Sequence, residues 1–346
     1  MRQSIGSLAS VTTVGLQFQS DNIFNGLYHT KAREILSATR TDHTVETSVG
    51  VYVQNSTPWG TKFRTVVGLR DDQYRSKVVN NNPLNSGAVT ANLASPKLAL
   101  IFGPWVRTEY YVNLGSGFHS NDARGTTISV DPKSGLPADR VEPLVCSKGF
   151  EVGVRTSIIT GLQTSLALYN LDFDSELIFQ GDAGTTSAGR PSRRDGFELA
   201  NYYKLQEWLT IDADIAYARA RFRDQDPVGE RIPGAVEGVA SFAVAIDNVG
   251  PYFAGLQWRY FGPRPLIEDN SVRSNATAVF NGRVGFKFSR AISAALEGFN
   301  LGNRKVSAID YYYTSRLPGE PTAGVNDIHF HPIESRSFRL AINANF

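Results

Sequence analysis

One cysteine, one methionine and no uninterrupted apolar run are conspicuous shortages in a chain of 346 residues. Cys146 alone can form neither an internal disulfide nor a cysteine metal cluster. No run of about 18 apolar residues exists, so a transmembrane helix is excluded; strands, which cross a bilayer on a weaker signal, are not. An excess of either charge is missing too, since 35 Lys plus Arg against 33 Asp plus Glu leave +2. A general nucleic-acid binder needs a basic surface to track phosphates, so no nucleic-acid partner is expected. The opening residues MRQSIGSLAS lack the apolar stretch of a secretory signal peptide. Walker, dinucleotide-binding, zinc-protease and Ser-His-Asp signatures are absent, so no catalytic residue and no cofactor is assigned.

Aromatic residues, by contrast, are plentiful: 20 Phe, 14 Tyr and 4 Trp. Many of them sit in a period-two alternation, and no long segment has a helical period. Val106, Thr108, Tyr110, Val112 and Leu114 alternate with Arg107, Glu109, Tyr111 and Asn113. Phe150, Val152 and Val154 oppose Glu151 and Arg155, while Phe280, Val284, Phe286 and Phe288 oppose Asn281, Arg283 and Lys287. A soluble sandwich alternates as well. The bulky face persists here through many strands, with small or charged residues opposite, as a barrel with an apolar outside and a polar lumen requires.

The connections add to this. Strands are expected near 9–19, 45–55, 62–74, 95–103, 105–117, 146–158, 162–177, 195–206, 208–220, 234–246, 252–261, 276–288, 291–301 and 334–346. The links between them alternate in length. Short ones, such as Gly103–Pro104 and Ser289–Arg290, take turns with long polar ones at 20–44, 75–94, 118–145, 178–194, 221–233, 262–275 and 302–333. Bacterial outer-membrane barrels sort their loops in this way, short on the periplasmic side and long outside. The expected fold is therefore all-β: a transmembrane antiparallel β-barrel of about 14 strands, with both ends on the short-turn side and a closing aromatic, Phe346. In lipid every backbone group must be paired, so such a sheet has to close or borrow its missing edge.

Several segments sharpen this class. YVNLGSGFHSNDARG at 111–125, VEPLVCSKGFEVGVRT at 141–156 and LDFDSELIFQGDAGTT at 171–186 come first. RYFGPRPLIEDNSVRS at 259–274, FNLGNRKVSAIDYYYTSRLPGEP at 299–321 and DIHFHPIESRSFRL at 327–340 follow. In order and spacing the chain resembles the C-terminal part of the barrel of TonB-dependent outer-membrane receptors, across essentially its whole length. The resemblance implies a 22-strand barrel preceded by a signal peptide, a coupling box and a plug domain. Residues 1–346 would then be a partial barrel, the last 14 or so strands without the plug.

The function this implies is active import of a scarce nutrient, such as an iron–siderophore complex or another small metal chelate. Implied partners are outer-membrane lipid and lipopolysaccharide, and a TonB-type energy-coupling protein acting through the plug and box. A separately encoded N-terminal half is a further implied partner. A passive porin-like or purely structural barrel, and a non-functional remnant of a split receptor, stay open as alternatives. A barrel enzyme is weaker, for want of a catalytic set.

Alternation assigns Arg107, Glu109, Glu151, Arg155, Asp172, Asp174 and Arg283 to the lumen. Asp172, Asp174 and Glu176 could in principle hold calcium, although a wet lumen explains aligned carboxylates equally well. Candidate substrate-facing residues are Tyr311, Tyr312, Tyr313 and Arg316 in the last long loop, with His119 and Arg124 in the Gly-rich segment. For that segment the alternative is a strand tip and loop base. His329 and His331 share a strand face as an H-x-H pair, but a third ligand is not evident and no metal site is assigned. Arg259 and Arg264 can pair with acidic groups or meet lipopolysaccharide phosphates.

Overall fold

A computed structural model describes residues 2–5, 8–132, 134–175, 178–179, 186–187 and 189–345. The strands in chain order are β1 (Arg2–Ile5), β2 (Leu8–Lys31), β3 (Glu34–Pro58), β4 (Phe63–Asn80) and β5 (Gly87–Trp105). β6 (Thr108–Ser120), β7 (Leu144–Thr156), β8 (Leu162–Phe173), β9 (Ile178–Phe179) and β10 (Thr186–Ser187) follow. Then come β11 (Ser192–Gln206), β12 (Leu209–Phe222), β13 (Gly238–Val249), β14 (Tyr252–Phe261) and β15 (Thr277–Lys287). β16 (Ile292–Phe299), β17 (Ser307–Ser315), β18 (Val325–Pro332) and β19 (Ser337–Ala344) complete the set. Among the described residues one helix, α1 (Ala123–Thr127), and a 3₁₀ turn at Pro83–Asn85 interrupt it.

Fifteen strands hydrogen-bond in chain order, β1 through β8, then β11 through β16, then β19. β9–β10 and β17–β18 form separate hairpins. The chain divides into two compact units. Unit 1 comprises Met1–Phe102, Tyr111–Glu151 and Asn170–Arg193; unit 2 comprises Gly103–Tyr110, Val152–Tyr169 and Arg194–Phe346.

The fourteen expected strands all form, as β2–β8, β11–β16 and β19. Among the described residues β1 adds one further strand, paired antiparallel to β2. The larger corrections concern the long links. Segment 20–44 is not a loop: the β2–β3 ladder runs unbroken in direction from Val11↔Ser56 to Lys31↔Glu34, closed at Ala32 and Arg33 with positive φ. Both faces of its outer half carry polar side chains, so no alternation marks it. Ladder hydrogen bonds form regardless of what the side chains meet. Similarly β4 continues to Asn80 and β5 begins at Gly87, leaving only 81–86 as a connection within the expected 75–94 loop. The 302–333 link contains the β17–β18 hairpin.

Arg107 also moves. β5 runs through Gly103–Pro104 to Trp105, and the chain turns at Val106 and Arg107, at φ 47° and 60°. Two consecutive left-handed residues match the type I′ geometry favoured by strand twist. Gly103 is needed because a Cβ there would lie 2.6 Å from the Thr108 carbonyl oxygen, at φ 111°. The Gly-Pro pair reads as a turn, yet it is accommodated inside a strand.

Side-chain placement in the sheet is inverted relative to a water-soluble fold. On β2, Val14, Leu16 and Phe18 are about 70% exposed, at 71%, 72% and 67%. On β19, Phe338, Leu340 and Ile342 are exposed at 62%, 70% and 70%. Tyr110, Phe150, Leu256, Phe280 and Val284 continue the apolar parity on other strands. The buried side chains include Asp42, Asp72, Ser76, Asn85 and Ser192. Apolar outside and polar inside is the arrangement of a membrane-spanning sheet. No described helix is long and apolar enough to cross a membrane.

Candidate functional site

The long-loop end of unit 1 is built on one carboxylate. Asp42 on β3 is 1% exposed and accepts from Arg40 Nε at 2.6 Å and Asn80 Nδ2 at 2.6 Å. Arg124 Nη1 lies 3.9 Å away. Residues i and i+2 of a strand share a face, which is why Arg40 reaches Asp42. Asp122 caps α1 through the Arg124 amide at 2.9 Å, and its carboxylate takes Arg124 Nε at 3.0 Å and Nη2 at 2.6 Å. Burial alone would raise the Asp122 pKa, but the hydrogen bonds and charge of Arg124 outweigh it and hold the group below its ordinary value. Arg124 is correspondingly raised, chiefly by its hydrogen bonds to Asp122.

A second clasp lies beside it. Asn85 is fully buried and donates to the Val130 carbonyl at 2.9 Å. Its Oδ1 accepts the amides of Ser129 and Val130, each at 2.9 Å. Asn121 Nδ2 donates to the Glu142 carbonyl at 2.6 Å, holding the two ends of the 121–143 loop together. The segment NDARG is thus loop masonry as well as a motif: Arg124 is engaged with Asp122 and Asp42, and the His119 ring packs edge-on against Phe173 at 5.4 Å. Sequence reasoning did not reach Arg40, Asp42, Asn80 and Asn85, because all four lie in segments expected to be loops. The Arg-x-Asp spacing at 40–42 was the available signal.

Of the lumen assignments in unit 1, Glu151 accepts from Asn113 Nδ2 at 3.2 Å. Asp172 receives Arg193 at 2.7 and 2.8 Å. Asp174 lies just beyond the end of β8 and is exposed, not within a strand reaching 177. Glu176 lies outside the described residues. A small polar recess of about 190 Å³ is lined by Gln17, Glu46, Arg70, Asp72 and Tyr74. Arg70 there bridges Asp72 at 2.6 Å and Gln17 at 3.0 Å.

In unit 2 the loops at 223–237 and 262–276 interlock. Arg264 and Asp310 form a buried ion pair at 2.9 Å, which settles the open partner of Arg264. Glu237 takes both Arg231, at 3.2 Å, and Arg273. Asp310 lies on β17, on the face it shares with Tyr312 and, across the ladder, Phe330, while Tyr311 and Tyr313 occupy the opposite face. Tyr313 stacks on His329 at 3.9 Å, and Tyr311 meets His331 edge-on at 6.3 Å. Tyr311 and Tyr312 therefore do not share a face. The pleat joins Tyr311 with Tyr313, His329 and His331 instead. Arg316 is exposed and donates to the Glu320 carbonyl at 3.2 Å.

On unit 2, Arg107, Glu109 and Arg155 line a polar concavity of about 680 Å³ with Asp212 and Asp214. Arg283 sits elsewhere on this unit, with its guanidinium 5.8 Å from the Phe253 ring.

An antiparallel sheet that exposes apolar side chains and buries polar ones, with long loops clasped by buried ion pairs, matches the wall of an outer-membrane β-barrel. The family model for the TonB dependent receptor-like β-barrel matches residues 2–301, and the chain belongs to that family of outer-membrane proteins. Among curated relatives, the metal-pseudopaline receptor CntO of Pseudomonas aeruginosa is 23% identical over 221 residues. That match covers 58% of this chain and 29% of the receptor.

Among solved structures, the closed form of the ferric-catecholate import receptor Fiu from E. coli K12 aligns with TM-score 0.75 at 17% identity. The alignment covers 100% of this chain and 53% of Fiu. The ferric yersiniabactin uptake receptor FyuA from Yersinia pestis aligns with TM-score 0.70 at 15% identity, over 99% of this chain and 52% of FyuA. At such identities the structures show the shared fold. The chain spans about half the length of these receptors and under a third of the curated one. All three are receptors.

Proposed function

We propose that this chain forms the wall and capture loops of an outer-membrane importer for a scarce nutrient delivered as a small metal chelate. The observation that carries the reading is the contrast between a charged, concave inner wall and loops held firmly by buried clasps. Rigid loops keep a recognition surface preorganised, so less ordering entropy is lost on binding. Within that surface the exposed or half-exposed candidates are Tyr311, Tyr312, Tyr313 and Arg316, with His329 and His331 added by the face they share with Tyr311 and Tyr313. Arg124 and His119 act by shaping the loop base. The strand groups Glu109, Arg155, Glu151, Asp172 and Arg283 keep the path wet, with Arg107 at a turn and Asp174 just beyond β8 at its ends. The names of the relatives, a metal-pseudopaline and two ferric-chelate receptors, support a metal complex as cargo. Gating falls to a plug with its coupling box, on the same or a separate polypeptide, energised by a TonB-type protein.

The test is uptake of a radiolabelled ferric chelate panel by cells whose own receptors are deleted and which express this chain together with a plug-bearing segment. Saturable uptake abolished by an uncoupler of the proton-motive force supports the importer. Entry that is linear in concentration and indifferent to the uncoupler replaces it with the passive porin-like barrel.

A further inference from the structure

Two acidic side chains face each other across the β2–β3 ladder of unit 1. Asp21 is the direct partner of Glu46, and Glu46 is in turn the direct partner of Ser76 on β4, so the three stand in one row across three strands. Like charges placed directly opposite destabilise a sheet unless something neutralises them. Among the described residues neither carboxylate has an ion-pair partner. The charges that bear most on Glu46 are those of Asp122 and Asp21, both negative. Arg70, on the wall of the same recess, is engaged by Asp72 at 2.6 Å and by Gln17 at 3.0 Å. Arg124 and Arg40 are held by Asp122 and Asp42, each at 2.6 Å.

A second feature marks the same place. Three buried hydroxyls around Glu46 have no hydrogen-bond partner: Thr44 Oγ1, Tyr74 OH and Ser76 Oγ. Thr44 shares the strand face of Glu46 at two residues' distance, and Tyr74 stands in the same relation to Ser76 on β4. Tyr74 is only 6% exposed. Its hydroxyl borders the Glu46 carboxylate and the Ser76 hydroxyl without hydrogen-bonding geometry to either. With Asp21 and Glu46 it lines the recess of about 190 Å³, whose far wall is Phe118, Ser120 and Leu144. Unpaired carboxylates and an orphaned phenol thus converge on one small polar space.

The chemistry of the donors selects the occupant. Asp21, Glu46 and Asp72 against Arg70 put three negative charges in the recess beside one positive, an excess that a divalent cation cancels. The donors are oxygens, which suits a hard ion. They project from strands in fixed register, an irregular set that calcium accepts and that magnesium, with its strict octahedron, does not. We infer that Asp21, Glu46 and the Tyr74 phenol oxygen hold a calcium ion in this recess, with water completing its shell. Bound there, the ion fastens the extended β2–β3 hairpin to β4 and to the base of the 121–143 loop, whose Asp122 acts on Glu46. The site is separate from the Asp42 clasp and independent of what the protein imports.

The folded full chain in detergent micelles, stripped with a chelator, is titrated with calcium chloride by isothermal calorimetry, and with magnesium chloride for comparison. One calcium site is expected, with a Kd of about 0.1–1 mM and magnesium at least about tenfold weaker. Saturating calcium should also slow proteolysis in the 121–143 loop. Glu46→Gln keeps the shape and removes a charge, so calcium affinity should fall at least about tenfold; Tyr74→Phe removes a single oxygen and should lower it about threefold. Asp71→Asn changes an exposed carboxylate of β4 that is bonded to Asn92, and should leave binding as it is. Heat-modifiable gel mobility checks folding, and Tyr74→Phe carries the test if Glu46→Gln does not fold. Absence of calcium binding by the wild-type chain, equal binding of magnesium, or unchanged affinity in folded Glu46→Gln or in Tyr74→Phe overturns the proposal. An equal loss in Asp71→Asn also overturns it, since binding would then follow diffuse surface charge. Failed metal-chelate uptake leaves the calcium site standing.

Discussion

The two units fasten their long loops with different polar arithmetic. Unit 1 concentrates it: Asp42, 1% exposed, receives Arg40 and Asn80 and stands within reach of Arg124. Unit 2 spreads it over the buried Arg264–Asp310 pair and a wetter cluster in which Glu237 holds Arg231 and Arg273, all three partly exposed. A charge removed from water is tolerated only while its partners stay. Concentration therefore makes a stiff and brittle clasp, and dispersal a softer one that survives the loss of a member.

The strongest break of this contrast is Asp42→Ala. It strands the buried Arg40 guanidinium and should cost about 3–5 kcal/mol. Chemical unfolding in micelles measures the loss, and limited proteolysis locates it in the 121–143 loop. Asp310→Ala strands one buried group, the Arg264 guanidinium, where Asp42→Ala strands two, Arg40 and Asn80. Its cost should fall at the lower end, about 3 kcal/mol, with cleavage appearing in 262–276. Equal losses and equal proteolysis would erase the distinction. Glu237→Gln keeps the hydrogen-bonding shape and removes the charge, so about 1 kcal/mol or less is expected by the same unfolding measurement. A loss as large as that of Asp42→Ala would show unit 2 to be brittle as well.

How much of this was legible follows from what each side chain meets. Where one face meets lipid and the other a wet interior, alternation is enforced, and Phe280, Val284 and Phe286 against Asn281 and Arg283 announce β15 directly. The upper half of β2–β3 has two wet faces, so nothing in Asn22–Glu46 separates strand from loop. The same applies to β17–β18. Ion-pair clasps were half legible: Arg264 was a visible candidate without a partner, since Asp310 lies 46 positions away and only the fold brings it near. Tyr311 and Tyr312 were grouped by adjacency, and the pleat separates adjacent residues.

Acid separates the two fastenings with the smallest effect and the sharpest chemistry. In unit 1 Asp122 lies below its ordinary value of 3.8, where burial is overcome by hydrogen bonds and charge from Arg124. In unit 2 Asp269 is also lowered, first by the Ser271 amide and then by the Ser271 hydroxyl. A carboxylate depressed by folding stabilises the folded loop fully above its unfolded pKa, and that contribution fades as pH falls through the lower folded value. Both loops should thus hold from neutral pH down to about 4 and loosen below it, as read by amide hydrogen exchange in 121–143 and 262–276. The causes differ, so the rescue differs. Arg124→Gln removes a charge and should move the 121–143 transition up toward the ordinary carboxylate value, with increased salt sensitivity lost in the variant. Ser271→Ala keeps the amide donor and should move the 262–276 transition only slightly. If Ser271→Ala shifts its loop as far as Arg124→Gln shifts the other, charge is not what distinguishes the clasp of unit 1, and its stiffness must come from Asn85 and the backbone it gathers.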